Sequence, residues 1–166
     1  MAAQKKKNIK AAAKPSVRIT ASKFHIAIVA SRFNDFISKA LLNACWMELK
    51  RSGLRDEQIT TIWVPGSFEI PAAALKLARK KNVDAVICLG AVIRGETYHF
   101  EVVANEAGRG MMQVSLATGK PVIMGVLTTD TVDQAQKRAQ DKGGANKGLD
   151  AARSALEMIA LLKQIK

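Results

Sequence analysis

The strongest constraint on this chain is a fourfold alternation of short apolar runs and helical patterns. Residues 24–30 (FHIAIVA), 59–64 (ITTIWV), 85–89 (AVICL) and 122–127 (VIMGVL) are compact runs of apolar and β-branched side chains. Runs of this length, bounded by Gly, Pro or polar turns, read as strands, and the continuously apolar ones as buried strands. After each comes a polar loop and then a helical spacing. Ile37, Leu41, Cys45 and Leu49 lie four apart in a helix over 37–51, which Gly53 closes. A second helix covers about 70–80, with Pro71 tolerated in its first turn. A third runs from about Phe100 to Thr118, stopped by Gly119. Thr131 and Gln134 match a capping box for a short helix reaching about Gln140. A last helix covers about 147–164, with Leu149, Ala152, Leu156 and Ile159 on its apolar face. Strands alternating with helices imply a parallel sheet, right-handed crossovers and helices on both faces.

That architecture puts every strand-to-helix loop at one edge of the sheet, where open α/β proteins bind ligands. The loops are SRFND (31–35), PGSFE (65–69), AVIRGETYH (91–99) and TTD (128–130), and they are expected to converge on one place. Phe33 and Phe68 offer stacking surfaces and Glu69 and Glu96 offer acceptors. Arg32 and Arg94 are anion donors, and Ser67, Thr97, Thr128 and Thr129 carry hydroxyls. Aromatic faces beside carboxylates suit a flat polar heterocycle, and Arg with Thr suits a phosphate. His99 is the natural proton carrier, because an ordinary imidazole titrates near neutrality. Plainer roles exist for each. Either Phe could cap the sheet edge, Glu69 could be a helix-start charge, and His99 could simply begin its helix.

Length and charge bound the rest. A chain of 166 residues suits one domain with a sizeable core. Seven of its 26 Lys and Arg fall within the first 25 residues, which hold no acid; the other 19 face 14 acids, so seven of the +12 net charges lie at the N-terminal end. Residues 1–22 read as a solvated basic tail, with nucleic-acid binding the sharper and less favoured reading, and 23–166 as the folded domain. The arm lacks the apolar core of a secretory signal. No run approaches the length of a membrane span, and no membrane partner is expected. Cys45 and Cys88 lie in apolar patterns without metal-ligand spacing and read as buried free thiols of a reducing, cytoplasmic compartment. His25 and His99 are far apart in sequence, so no metal site is expected. There is no P-loop, no G-x-G-x-x-G after a strand, no acceptor Asp after the third strand and no nucleophile elbow.

The set SRFND, VPGSFEIP, LGAVIRGETYHFEVVANE, GVLTTDT and NKGLDAA, in this order, resembles the lumazine synthase family across about residues 24–164. The resemblance implies a flavodoxin-like three-layer αβα sandwich with a four-stranded parallel sheet, extended in some members by an N-terminal strand from a neighbouring subunit. It implies homopentamers, in some members stacked into an icosahedral shell, with riboflavin synthase as a candidate partner. It implies a transferase of riboflavin biosynthesis that joins a ribitylaminouracil to a four-carbon ketose phosphate and needs neither cofactor nor metal. By motif, Phe33 stacks on the pyrimidine, and Ser67, Phe68 and Glu69 hold the ring edge and ribityl chain. Ala91, Val92 and Ile93 contribute backbone contacts; Gly95, Glu96 and Thr97 cradle the phosphate; His99 moves protons. Arg138 and Lys147 come from the neighbouring subunit, Arg138 gripping the phosphate. Two departures stand out. Met124 replaces the Phe that many members place against the substrate, and is expected to line the site as a softer apolar group. The run DKGGANKG is one residue longer than the common GTKAGNKG. Rival readings are a basic-armed scaffold binding nucleic acid and a flavin-binding relative without turnover.

Overall fold

A computed structural model describes residues 23–140 and 146–165. The strands are β1 (Ile26–Ser31), β2 (Ile59–Val64), β3 (Ala85–Ile93) and β4 (Val122–Thr129). The helices are α1 (Asp35–Arg51), α2 (Ile70–Ala78), α3 (His99–Thr118), α4 (Val132–Ala139) and α5 (Lys147–Leu162). All strand pairs are parallel, in the order β2-β1-β3-β4. The parallel sheet is the one expected from the alternation, and the arrangement is the flavodoxin-like three-layer sandwich that the resemblance implies. The basic arm, and with it any strand it lends to a neighbour, lies outside the described residues, as do residues 141–145 of the Gly-rich run.

Burial follows strand position. Every residue of β1 is buried, as is β3 up to Val92, while the edge strands β2 and β4 mix buried and exposed positions. One face of the sheet packs Ile26, Ile28 and Ile87 against Ile37, Leu41 and Leu49 of α1 and Leu156 and Ile159 of α5, with Ala135 and Ala139 of α4. The other packs Ala27, Val29 and Val86 against Ile70 and Leu77 of α2 and Ala107 and Met111 of α3. Each fully buried Ile or Leu contributes about 2 kcal/mol of transfer free energy. Both cysteines are buried and unbridged, as expected. Burial pushes the Cys45 thiol up to about 12 and the Cys88 thiol higher still.

Two strands run further than their apolar runs suggest. Gly90 does not end β3; pairing with β4 continues to Ile93↔Thr129. A side chain at Gly90 would sit 2.6 Å from Ser31 Oγ and 2.9 Å from Ser67 Oγ, so the glycine marks a close approach rather than a break. Thr128 and Thr129, expected in a loop, belong to β4. Helix ends match the sequence closely. Gly53 and Gly119 have φ of 95° and 66°, the left-handed geometry that ends α1 and α3. The Thr131 hydroxyl accepts from Gln134 N at 3.2 Å, but Gln134 returns its bond to Asp130 N, one residue before the cap. Of the residues expected on the apolar face of α5, Leu149 is only half-buried.

α1 and α5 are clamped together. The carboxylate of Glu48, nearly buried, takes two bonds from Arg51 and one from Arg153 at 2.8–2.9 Å. Arg51 first, then Arg153, hold its pKa below the usual carboxylate range. That stabilisation is complete above the ordinary carboxylate range and is lost as the pH falls through the lowered value.

A Cβ on Gly148, in the first turn of α5, would fall on the Leu41 carbonyl of α1. Gly148→Ala is therefore expected to cost about 3 kcal/mol, read as a drop in the urea midpoint. Gly95→Ala, where a Cβ meets nothing within 4 Å, serves as the contrasting variant with little change. The folded chain should be inert to Ellman's reagent at mildly alkaline pH, and denaturant should expose both thiols. Reaction of either cysteine in the folded chain would contradict its burial.

Candidate functional site

Three of the four strand-to-helix turns meet. A cleft of about 670 Å³ opens at the carboxyl ends of β2, β1 and β3 and is walled by the first turns of α3. The turn after β1 carries Phe33. Its backbone continues the sheet ladder, Arg32 N donating to Val64 O at 2.8 Å and Phe33 N to Pro65 O at 3.0 Å. Asn34 follows at φ 57°, a left-handed conformation that Asn tolerates. Its side-chain amide donates to Ala91 O at 3.0 Å. The turn is thus pinned to both β2 and β3, and Phe33 is left 71 % exposed at the cleft.

The turn after β2 is a single 3₁₀ turn, Ser67–Glu69. Ser67 is buried, Phe68 is 53 % exposed, and Glu69 Oε2 accepts from Gly66 N at 2.9 Å. That bond fixes the carboxylate at the cleft wall. The end of β3 supplies Ala91, Val92 and Ile93. Pairing with β1 stops at Leu89 while pairing with β4 continues. The β1 side of these residues therefore lacks a strand partner, and such an edge presents backbone donors and acceptors to a ligand. Gly95, Thr97 and His99 complete that end of the cleft, His99 being the first residue of α3. The start of a long helix favours negative charge. Glu96 is exposed and lies off the cleft wall.

The fourth turn does not join them. Thr128, Thr129 and Asp130 line other hollows, because β3 stands between β4 and the cleft. Arg94 is not the open anion donor its loop position suggests. Its Nε donates to Asp130 at 2.7 Å, a second nitrogen pairs with Glu101, and the guanidinium lies 4.4 Å from the Phe100 ring centre. Asp130, then Glu101, raise the guanidinium's pKa, and Arg94 holds the Glu101 carboxyl below the usual range.

Met124, Arg138 and Lys147 lie apart from the cleft but together with one another. They share a hollow of about 310 Å³ along β4, with Asp150 and Ser154. Arg138 Nη1 donates to Gln134 O at 3.0 Å, and Lys147 pairs with Asp150 at 2.7 Å. A groove on the outer face of α1, lined by Leu42, Trp46 and Met47 between Lys39 and Lys50, belongs to one helix and gathers no loops. Among the described residues no group of three or more His, Cys, Asp or Glu is placed to hold a metal, and no helix is long and apolar enough to cross a membrane.

Sequence reading placed Pro65 and Gly66 in a converging loop without giving them a role, and missed Phe100, Val102 and Val103 as cleft residues. A signal existed in α3. At about 100° per residue Val102 cannot share the stripe of Phe100 and Val103, and it is 42 % exposed.

The cleft offers two aromatic faces, a fixed carboxylate, a hydroxyl-lined turn, an imidazole and an open strand edge. It suits a flat polar ring at one end and an anion at the other. A protein-family model described as 6,7-dimethyl-8-ribityllumazine synthase matches residues 23–163.

Proposed function

The chain belongs to the 6,7-dimethyl-8-ribityllumazine synthase family, a family of riboflavin biosynthesis, and from that premise we propose the reaction it performs. It condenses 5-amino-6-(D-ribitylamino)uracil with 3,4-dihydroxy-2-butanone 4-phosphate, giving 6,7-dimethyl-8-ribityllumazine, inorganic phosphate and water. The observation that carries the reading is the meeting of Phe33, Phe68, Glu69, Gly95, Thr97 and His99 around one cleft.

In this reading the uracil ring stacks on Phe33, its edges meeting the backbone of residues 91–93 and the Ser67–Glu69 turn. The ribityl chain runs past Glu69. The ketose phosphate places its anion at Gly95 and Thr97, beside the start of α3, with Glu96 lying off the cleft wall. The exocyclic amine of the uracil attacks the ketone carbon, and water leaves as the imine forms. Loss of a proton from the adjacent carbon then expels the phosphate. The enol left by that elimination tautomerises to a methyl ketone, the ribitylamino nitrogen adds to its carbonyl to close the ring, and loss of a second water completes the lumazine. His99 accepts and returns protons in these steps. Nucleophile, electrophile and leaving group all belong to the substrates. The protein acts mainly by holding them in register, which can remove about 7 kcal/mol or more of the barrier.

Arg138, Lys147 and Met124 fit as contributions to an adjoining chain's cleft. They cluster on a separate face beside the exposed edge strand β4, and a planar guanidinium suits a departing phosphate dianion. A site shared in this way makes self-association, as a homopentamer or a larger shell, a condition of activity. The basic residues 1–22 are read as an addition outside catalysis, and the cell compartment as the cytoplasm.

Mixing the protein with both substrates should release phosphate and produce lumazine absorbance in equal amounts. A folded oligomer giving neither signal would leave a scaffold or a flavin-binding relative. His99→Ala should slow kcat by about 100-fold without abolishing turnover, because positioning outweighs proton transfer. Complete loss would reverse that order. Removing residues 1–22 should leave kcat/KM unchanged, measured on the truncated chain alongside the full one.

A further inference from the structure

The turn between β3 and α3 carries the anion end of the cleft, yet little within it holds it in place. Residues 95–99 are all exposed. Among the described residues none of their side chains makes a hydrogen bond or ion pair. Gly95 has open space around it. What fixes the turn is at its ends, and one side chain serves both. Arg94 N donates to Thr129 O at 2.9 Å, the last rung between β3 and β4. The Arg94 guanidinium then reaches Asp130 at the end of β4 and Glu101 in the first turn of α3, and stacks on Phe100 beside it. Glu101 Oε2 is buried without a hydrogen-bond partner among the described residues. Arg94 therefore supplies the partner of the other oxygen of that carboxylate as well as joining the three elements.

We propose that Arg94 is a positioning residue for the anion end of the cleft. Tied to Asp130, Glu101 and Phe100, it holds residues 95–99 in the shape that receives a phosphate, without touching the phosphate itself. It lines the hollow with Asp130 and Glu101, on the far side of the turn from the cleft. The inference rests on the reaction proposed above, since it assigns the support of that same site. A preformed turn binds its anion without first being ordered, so loosening the brace should weaken phosphate binding selectively.

The test uses the full chain as Arg94→Gln, Arg94→Lys, Asp130→Asn and the Arg94→Gln/Asp130→Asn double variant. Its readouts are KM for each substrate and competitive inhibition by inorganic phosphate. Arg94→Gln should raise KM for the ketose phosphate and weaken phosphate inhibition by a common factor of about tenfold. KM for the uracil should stay within about twofold, because Phe33 and Glu69 are held by other bonds. Arg94→Lys keeps the charge but loses the fork and the stacking, and should recover part of the effect. Asp130→Asn should shift the same parameters in the same direction, and the double variant should be no worse than Arg94→Gln.

Three results would overturn the proposal while leaving the reaction reading intact. Phosphate inhibition unchanged in Asp130→Asn but lost in Arg94→Gln would mean that Arg94 grips the anion directly. Lower kcat and a lower unfolding midpoint with both KM values intact would mean a purely structural role. Wild-type turnover with a normal phosphate response in Arg94→Gln would remove this inference alone. Absence of wild-type turnover would remove the reaction reading and the inference with it.

Discussion

The structure depends on burying two parallel strands on both faces. β1 and β3 are apolar almost throughout, and neither face can meet water without a large loss of transfer free energy. Helices must therefore cover both sides, and right-handed crossovers must bring each strand back in the same direction. From that requirement comes the common edge at which the strands end. Function follows from a topological accident of such sheets. The chain leaves β1 to one side for β2 and returns to the other for β3, so a crevice opens above the β1–β3 pair.

The crevice is finished by short, strongly tied turns rather than by mobile loops. Asn34 reaches across to Ala91, Glu69 folds back onto Gly66, and Arg94 braces β4 against α3. Each tie joins elements distant in sequence or stabilises a turn whose own residues pack poorly. Rigid presentation of this kind suits a reaction whose substrates already carry the reactive groups. In the proposed reaction, geometry is what the protein contributes.

Much of the fold was legible in the sequence. Four apolar runs, their spacing and the stops at Gly53 and Gly119 locate most of the elements. Strand ends were less legible, because Gly90 looks like a terminator when it is a point of close approach to Ser31 and Ser67. The expectation that four turns converge failed for a physical reason. Strand order is a non-local property, and β4 lies beyond β3 from the cleft. Arg94 reads as a free cation because its partner Asp130 is 36 residues away. Val103 packs against the core and also reaches the cleft, while Val102 lies on the exposed side of the same helix, so neither is singled out by an apolar pattern alone. Arg138 and Lys147 were paired through the resemblance, but the hollow they share with Met124 was not legible, because it arises where α4 and α5 both pack near β4.

On the proposed reading, a working site combines one chain's cleft with a neighbouring chain's Arg138. Chains carrying Phe33→Ala with Glu69→Ala have an intact Arg138 but a defective cleft; chains carrying Arg138→Ala have the reverse. Unfolded together and reassembled in equal amounts, they should regain activity, with about a quarter of the sites restored by random pairing around a closed ring. Activity in the mixture no greater than the mean of the two separately reassembled variants would contradict a shared site.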